Sequence, residues 1–151
     1  MYMHYMSQAL SAVVEVCLAL RARRLARRVS RHYDRALTAQ GLDISQFNVL
    51  CVIGAQAPAA LTEVAAALDL DPSTLSRTLK TLRQQGLVAV AGGRGRGGLT
   101  LELTLRGEDV MAEALASWKQ AQSGMSGLLG EAGMGRVLES LDQVERATAA
   151  L

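Results

Sequence analysis

The sequence predicts a mainly α-helical domain carrying one small β-hairpin, and three features of its 151 residues point there. Half of the residues are apolar, and most of these are Ala and Leu, which favour helices over sheets. Apolar side chains recur at spacings of three and four along most of the chain. Between residues 87 and 104 the period drops to two, on either side of a glycine-rich tip. A chain of this length folds as one ordinary domain and buries a core without disulfide or metal staples.

The first helix is expected over Ser7–Ala39. Its apolar stripe reads Val14, Leu18, Ala22, Leu25, Val29, His32/Tyr33 and Ala36, and Arg21, Arg24, Arg28, Arg31 and Arg35 form a second stripe on the other side. Gln40-Gly41 ends it, since Gly suits the left-handed residue after a helix. The second helix opens at Asp43 with Gln46 three residues on, a capping-box spacing, carries Phe47, Val49, Leu50, Cys51 and Ile53, and stops before Pro58. A short helix follows, with Thr62 as N-cap and Glu63–Leu68 as its body. After the turn Asp69-Leu70-Asp71 comes a longer helix with Asp71 at the N-cap and Pro72 at the first helical position. It buries Leu75, Leu79 and Leu82, exposes Ser73, Thr74, Ser76, Arg77 and Lys80, and ends at Gly86.

Leu87–Ala91 and Leu99–Thr104 read as two strands, the second alternating cleanly, around the tip Gly92-Gly93-Arg94-Gly95-Arg96-Gly97-Gly98. Helical signals resume at Thr104. Met111, Leu115, Trp118, Met125 and Leu129 mark one helix, and Met134, Val137, Leu141, Val144 and Leu151 mark the last, with a break between about 124 and 135 where Gly124, Gly127 and Gly130 fall.

Net charge is only +2, but it is segregated: residues 21–35 sum to +6, residues 71–96 to +4 and residues 101–151 to −4. This is the pattern of a chain with one face for a polyanion. Five scattered aromatics (Tyr2, Tyr5, Tyr33, Phe47 and Trp118) argue against a base-stacking single-strand binder. There is no Walker A sequence, no carboxylate pair beside a His and no clustered metal-ligand set, so an enzyme reading has no residues to carry it, and no cofactor or metal is expected. Gly93–Gly98 satisfies G-x-G-x-x-G, but an alternating strand follows instead of the helix a dinucleotide site needs. Its single RGG unit, tethered between paired strands, reads as a hairpin tip and not as a disordered RNA binder. Cys17 and Cys51 have no zinc-ligand or C-x-x-C spacing. No signal peptide or membrane span is evident, and a reducing cytoplasmic setting fits.

A short helix, a turn, a longer helix with a polar outer N-terminal face and then a basic hairpin make a winged helix-turn-helix. The second helix of such a unit enters a DNA major groove, and the wing reaches the neighbouring minor groove. The expected contacts to double-stranded DNA are Thr62, Ser73, Thr74, Ser76, Arg77 and Lys80 from the helices, and Arg94 and Arg96 from the wing. The terminal helices carry apolar stripes with no partner in so small a core, and mutual burial across a two-fold axis in a homodimer satisfies them. Residues 1–40 and 105–151 are accordingly read as a helical dimerisation region around the winged unit of residues 41–104, all in one compact domain. Its two recognition helices then sit about 34 Å apart, one turn of DNA.

Asp43-Ile44-Ser45-Gln46-Phe47, Leu61–Leu68, Asp71-Pro72-Ser73-Thr74-Leu75-Ser76-Arg77, Leu82-Arg83-Gln84-Gln85-Gly86-Leu87 and Leu103-Thr104-Leu105-Arg106-Gly107 together resemble the multiple-antibiotic-resistance regulator (MarR) family, over roughly residues 17–120. The resemblance implies a homodimeric regulator, in most members a repressor, that binds a pseudo-palindromic operator and is released by a small aromatic ligand or by thiol oxidation. Cys17 resembles in position the peroxide-sensing Cys of the organic-hydroperoxide branch, with Arg21 one turn on. That branch supports its Cys with Tyr, where this chain has Arg21 and Arg31, and an inert thiol is the other reading. A ligand pocket between dimer helices and winged core is expected to be lined by His32, Tyr33, Phe47 and Trp118, each also a natural core residue. The family's wing carries an Asp beside its Arg residues, which this tip lacks, so Arg94 and Arg96 are expected to be poorly preorganised. A winged-helix module that binds protein and no DNA is the alternative from another class.

Overall fold

A computed structural model describes residues 2–92 and 98–150, with side chains from Met6 onward. Seven α-helices and three short strands follow in the order α1 (Tyr2–Val16), α2 (Leu18–Leu37), a 3₁₀ turn (Thr38–Gln40), α3 (Ile44–Gln56), β1 (Ala59–Ala60), α4 (Leu61–Ala67), α5 (Pro72–Gln84), β2 (Val88–Gly92), β3 (Leu99–Leu103), α6 (Leu105–Leu129) and α7 (Glu131–Thr148). The sheet is antiparallel in the order β1-β3-β2, with Val90 opposite Leu101 on one side and Ala59 opposite Leu101 on the other.

The core lies where α3, α4 and α5 close over the sheet and the facing parts of α2 and α6. Leu37, Leu50, Ile53, Val64, Leu75, Leu82 and Leu101 are fully buried in it. Three helix ends position these elements by one device. Leu42, Leu70 and Leu87 each donate their backbone N–H to a carbonyl five residues back, and Gly41, Asp69 and Gly86 just before them adopt positive φ. Each is a Schellman cap, in which the left-handed residue reverses the chain and the following Leu packs back on the helix.

Two expectations are corrected. The single helix over Ser7–Ala39 is two helices, broken at Cys17, whose backbone is extended (φ −65°, ψ 111°). The break wastes few hydrogen bonds, which is why no Gly or Pro is needed. The Cys17 N–H donates to Val13 O at 2.9 Å, the Arg21 N–H donates to Cys17 O at 3.1 Å, and Arg21 Nη1 donates to Glu15 O at 3.3 Å. Thr62 is not an N-cap: α4 starts at Leu61, two residues before the expected Glu63, Ala60 caps it, and the Glu63 carboxylate reaches back to accept the Ala60 N–H at 3.1 Å. Ala59 and Ala60 also pair with β3, a strand too short to leave a periodic signal.

The remaining elements fall as expected. The Asp43–Gln46 capping box is formed in both directions. Gly130 (φ 70°) separates α6 from α7. The terminal helices leave apolar faces open in the single chain, with Leu18 61% and Leu141 46% exposed. No single helix among the described residues is long and apolar enough to cross a membrane.

Candidate nucleic-acid interface

The second helix of the helix-turn-helix is α5, and its N-terminus is organised by one carboxylate. Asp71 Oδ1 accepts the backbone N–H groups of Ser73 (3.0 Å) and Thr74 (2.9 Å) and the Ser73 hydroxyl (2.5 Å), while Oδ2 accepts the Thr74 hydroxyl at 2.6 Å. These bonds, that from the Ser73 hydroxyl foremost, hold the Asp71 carboxyl far below its ordinary value. One consequence is chemical. An ionised carboxylate only accepts, so both hydroxyl protons are committed to it, and the oxygen of the exposed Ser73 is left as an acceptor. Acceptors at that position match the amino groups of adenine and cytosine better than phosphate oxygens.

Leu75, Leu79 and Leu82 anchor one face of α5 in the core, and this turns Ser73, Ser76, Arg77 and Lys80 to solvent, whereas Thr74, expected to be exposed, is half-buried because its position adjoins Leu75 on the core side. Arg77 Nε donates to the Ser73 carbonyl oxygen at 3.4 Å, laying the guanidinium back along the helix toward its N-terminus. Thr62 is exposed on α4. The hairpin β2–β3 follows directly, tied to the end of α5 through Thr104, whose hydroxyl donates to Gly86 O at 2.6 Å and accepts the Gly107 N–H at 3.0 Å. At its far end Gly92 (φ 81°) lies so close to Gly98 that a Cβ there would meet the Gly98 carbonyl oxygen at 2.5 Å. Arg94 and Arg96, and with them the expected wing tip, lie outside the described residues.

Between α5 and the wing runs an open groove of about 620 Å³ with Leu79, Val88, Val90, Leu99 and Leu101 in its lining and Lys80 and Arg83 among its cations. Arg83 was not among the expected contacts, although its position three residues after Lys80 puts both on one helix face. Thr62, Ser73, Thr74, Ser76, Arg77 and Lys80 therefore all lie on the helix-turn-helix, and none of them is fully buried.

The remaining candidates sit elsewhere. Phe47 and Trp118 stack at 6.3 Å between α3 and α6, and His32 and Tyr33 meet edge to face at 5.2 Å. The second pair ties α2 to α6, His32 Nε2 lying 2.9 Å from Ala121 O and the Tyr33 hydroxyl donating to Gln122 Oε1. Burial pushes the Tyr33 hydroxyl above its ordinary value. Cys17 is half-buried at the α1–α2 break, and Cys51 is half-buried against the core, where burial pushes its thiol up. No group of His, Cys, Asp and Glu among the described residues is arranged to hold a metal.

The sequence profile of the MarR family matches residues 40–97, which span the helix-turn-helix and the first half of the wing. Among solved structures, the M. tuberculosis transcriptional regulator MosR is 30% identical, with 91% of this chain and 99% of that one covered at a TM-score of 0.80. The same regulator in complex with DNA is 31% identical, with 89% and 97% covered at 0.79. The transcriptional repressor CouR bound to p-coumaroyl-CoA is 24% identical, with 89% and 95% covered at 0.79, and shares the fold. No curated protein matches the chain. A helix-turn-helix capped by Asp71, an antiparallel wing fastened to it by Thr104, and a relative 30% identical over nearly its whole length lead to one conclusion: the chain belongs to the MarR family of transcriptional regulators.

Proposed function

We propose that this regulator is a homodimeric repressor that binds a pseudo-palindromic duplex operator, α5 entering the major groove and the wing the adjacent minor groove. The observation that carries this reading is the outer face of α5, where Ser73, Ser76, Arg77 and Lys80 stand exposed beside the β2–β3 hairpin. The complex of the MosR relative with DNA supports it. Thr62, Ser73, Thr74, Ser76, Arg77, Lys80, Arg94 and Arg96 are the proposed contacts, the cations holding phosphates and the α5 hydroxyls facing base edges. Residues 1–40 and 105–151 supply the dimer, and residues 41–104 the DNA-reading unit. Selection of bound duplexes from a random pool, followed by gel shift, tests this. Arg77→Ala/Lys80→Ala is expected to abolish the shift at physiological salt, leaving binding measurable only at low salt, while the molecular mass in solution is unchanged. A shift that survives at physiological salt in the double variant would remove α5 from the interface.

Release has two candidate triggers. A small aromatic ligand would lodge near His32, Tyr33, Phe47 and Trp118, where α6 meets α2 and α3 and links the terminal helices to the winged unit. The second trigger is favoured by the position of Cys17 at the only break between α1 and α2 among the described residues. Attack of its thiolate on an organic hydroperoxide breaks the O–O bond, leaves a sulfenic acid and releases the alcohol. A polar sulfenate at this joint changes how α1 leaves α2. Titration of the DNA complex with an organic hydroperoxide separates the two: release in wild type but not in Cys17→Ser assigns the switch to Cys17, and an equal response in both removes it.

A further inference from the structure

The DNA-reading face leaves unused the strongest charge feature of the chain. Arg21, Arg24, Arg28, Arg31 and Arg35 follow one another in steps of three and four along α2, and all are exposed. Apart from the bond from Arg21 to Glu15 O, none of these guanidiniums has a hydrogen-bond or ion-pair partner among the described residues. The row spans about 21 Å of helix. On α7, Glu131, Glu139, Asp142 and Glu145 are exposed too, their carboxylates are without partners among the described residues, and their row also spans about 21 Å.

Each row borders an apolar face that the single chain leaves open. On α2 that face includes Leu18 and Leu25, 61% and 51% exposed, and on α7 it includes Leu138 and Leu141, 51% and 46% exposed. Within the chain both helices pack on α6. A helix with an apolar face and a basic edge fits a helix with an apolar face and an acidic edge of equal length, because water leaves the apolar strip while opposite charges meet along its rim. We propose that the occupant of the α2 arginine row is α7 of a second copy of this chain, with Glu131, Glu139, Asp142 and Glu145 lying against the guanidiniums. The two-fold axis makes the contact twice. The proposal rests on the homodimer reading and adds what sets its register and partner choice, since α2 against α2, or α7 against α7, would bring like charges together.

Two charge-reversed full-length chains test it: Arg24→Glu/Arg28→Glu/Arg31→Glu, and Glu139→Lys/Asp142→Lys/Glu145→Lys. Alone, each variant is expected to dimerise at least about tenfold more weakly than wild type at low salt, because six charge contacts per dimer become repulsive. Mixed, they are expected to form heterodimers of near wild-type affinity, because every basic row again faces an acidic one. High salt should narrow the differences. Sedimentation velocity gives the affinities, and pull-down through a tag on one variant gives the heterodimer. Where a triple variant does not fold alone, Arg28→Glu and Asp142→Lys repeat the comparison at lower amplitude. Wild-type dimers with variants that dimerise normally and mix at random would overturn this proposal alone. The same holds if Arg24→Glu/Arg28→Glu/Arg31→Glu loses DNA affinity with its dimer intact, which would assign the row to phosphates. A wild-type monomer would overturn the homodimer reading with it.

Discussion

Gly107, in the first turn of α6, gives a stability test in which two physical effects have opposite signs. Helix propensity alone favours Gly107→Ala by about 0.5–1 kcal/mol. Packing opposes it, because a Cβ on Gly107 would lie 2.2 Å from the Leu87 carbonyl oxygen and 3.1 Å from its carbon. Ordinary contact begins near 3.4 Å, so α6 and the α5–β2 corner must separate by more than 1 Å. Leu87 cannot give way easily. Its N–H donates to Leu82 O at 2.9 Å, its carbonyl accepts the Thr104 N–H at 3.1 Å, and its side chain is 2% exposed. Overpacking against backbone wins, and we expect a net loss of about 3 kcal/mol. Urea unfolding followed by far-UV circular dichroism measures it. Gly124→Ala and Gly127→Ala are the controls, since a Cβ at either meets nothing within 4 Å in the same helix. Each should add about 0.5–1 kcal/mol. A Gly107→Ala protein as stable as wild type would refute the close approach of α6 to Leu87.

Three further outcomes follow from local chemistry. Asp69 sits at φ 49° in the cap of α4, where a residue without Cβ is less strained, so Asp69→Gly should raise stability by about 0.5–1 kcal/mol in thermal unfolding. The Asp71 carboxyl is held below its ordinary value near 3.8, so its contribution is present above about pH 4 and is lost as pH falls further. The difference in melting temperature between wild type and Asp71→Asn should therefore shrink from pH 6 to pH 3, and a constant difference would show that the cap is not ionic. Cys51 has its thiol pushed up by burial, so at pH 8 it should react with a disulfide reagent much more slowly in the folded protein than in urea.

What the sequence made legible was local. Asp71, Pro72 and Gly86 mark both ends of α5 with groups that act within a turn of themselves, and Asp43 with Gln46 does the same for α3. What it hid was tertiary. The break at Cys17 carries no Gly or Pro, and one freed carbonyl, that of Glu15, is met by the Arg21 side chain, whose reach back has no periodic signature. β1 is a strand because β3 lies beside it, and Ala59-Ala60 has no strand preference of its own. Thr62 looked like a cap because Thr often is one, while Glu63 reaching back to Ala60 moved the start of α4 by two residues. Ser73, Thr74, Ser76, Arg77 and Lys80 were readable as candidate DNA contacts because they lie on one short amphipathic helix. The arginine row was readable as a pattern, but its occupant depends on a second surface distant in sequence.

The central claim is that the face bearing Arg77 and Lys80 meets duplex DNA through phosphates. Its most direct test is the salt dependence of binding to a selected operator. Wild type should show affinity falling steeply and log-linearly with salt, and Arg77→Ala/Lys80→Ala should flatten that slope by about 3–4 per dimer, four phosphate contacts at about 0.9 each. A wild-type slope near zero, or one that the double variant leaves unchanged, would contradict the account.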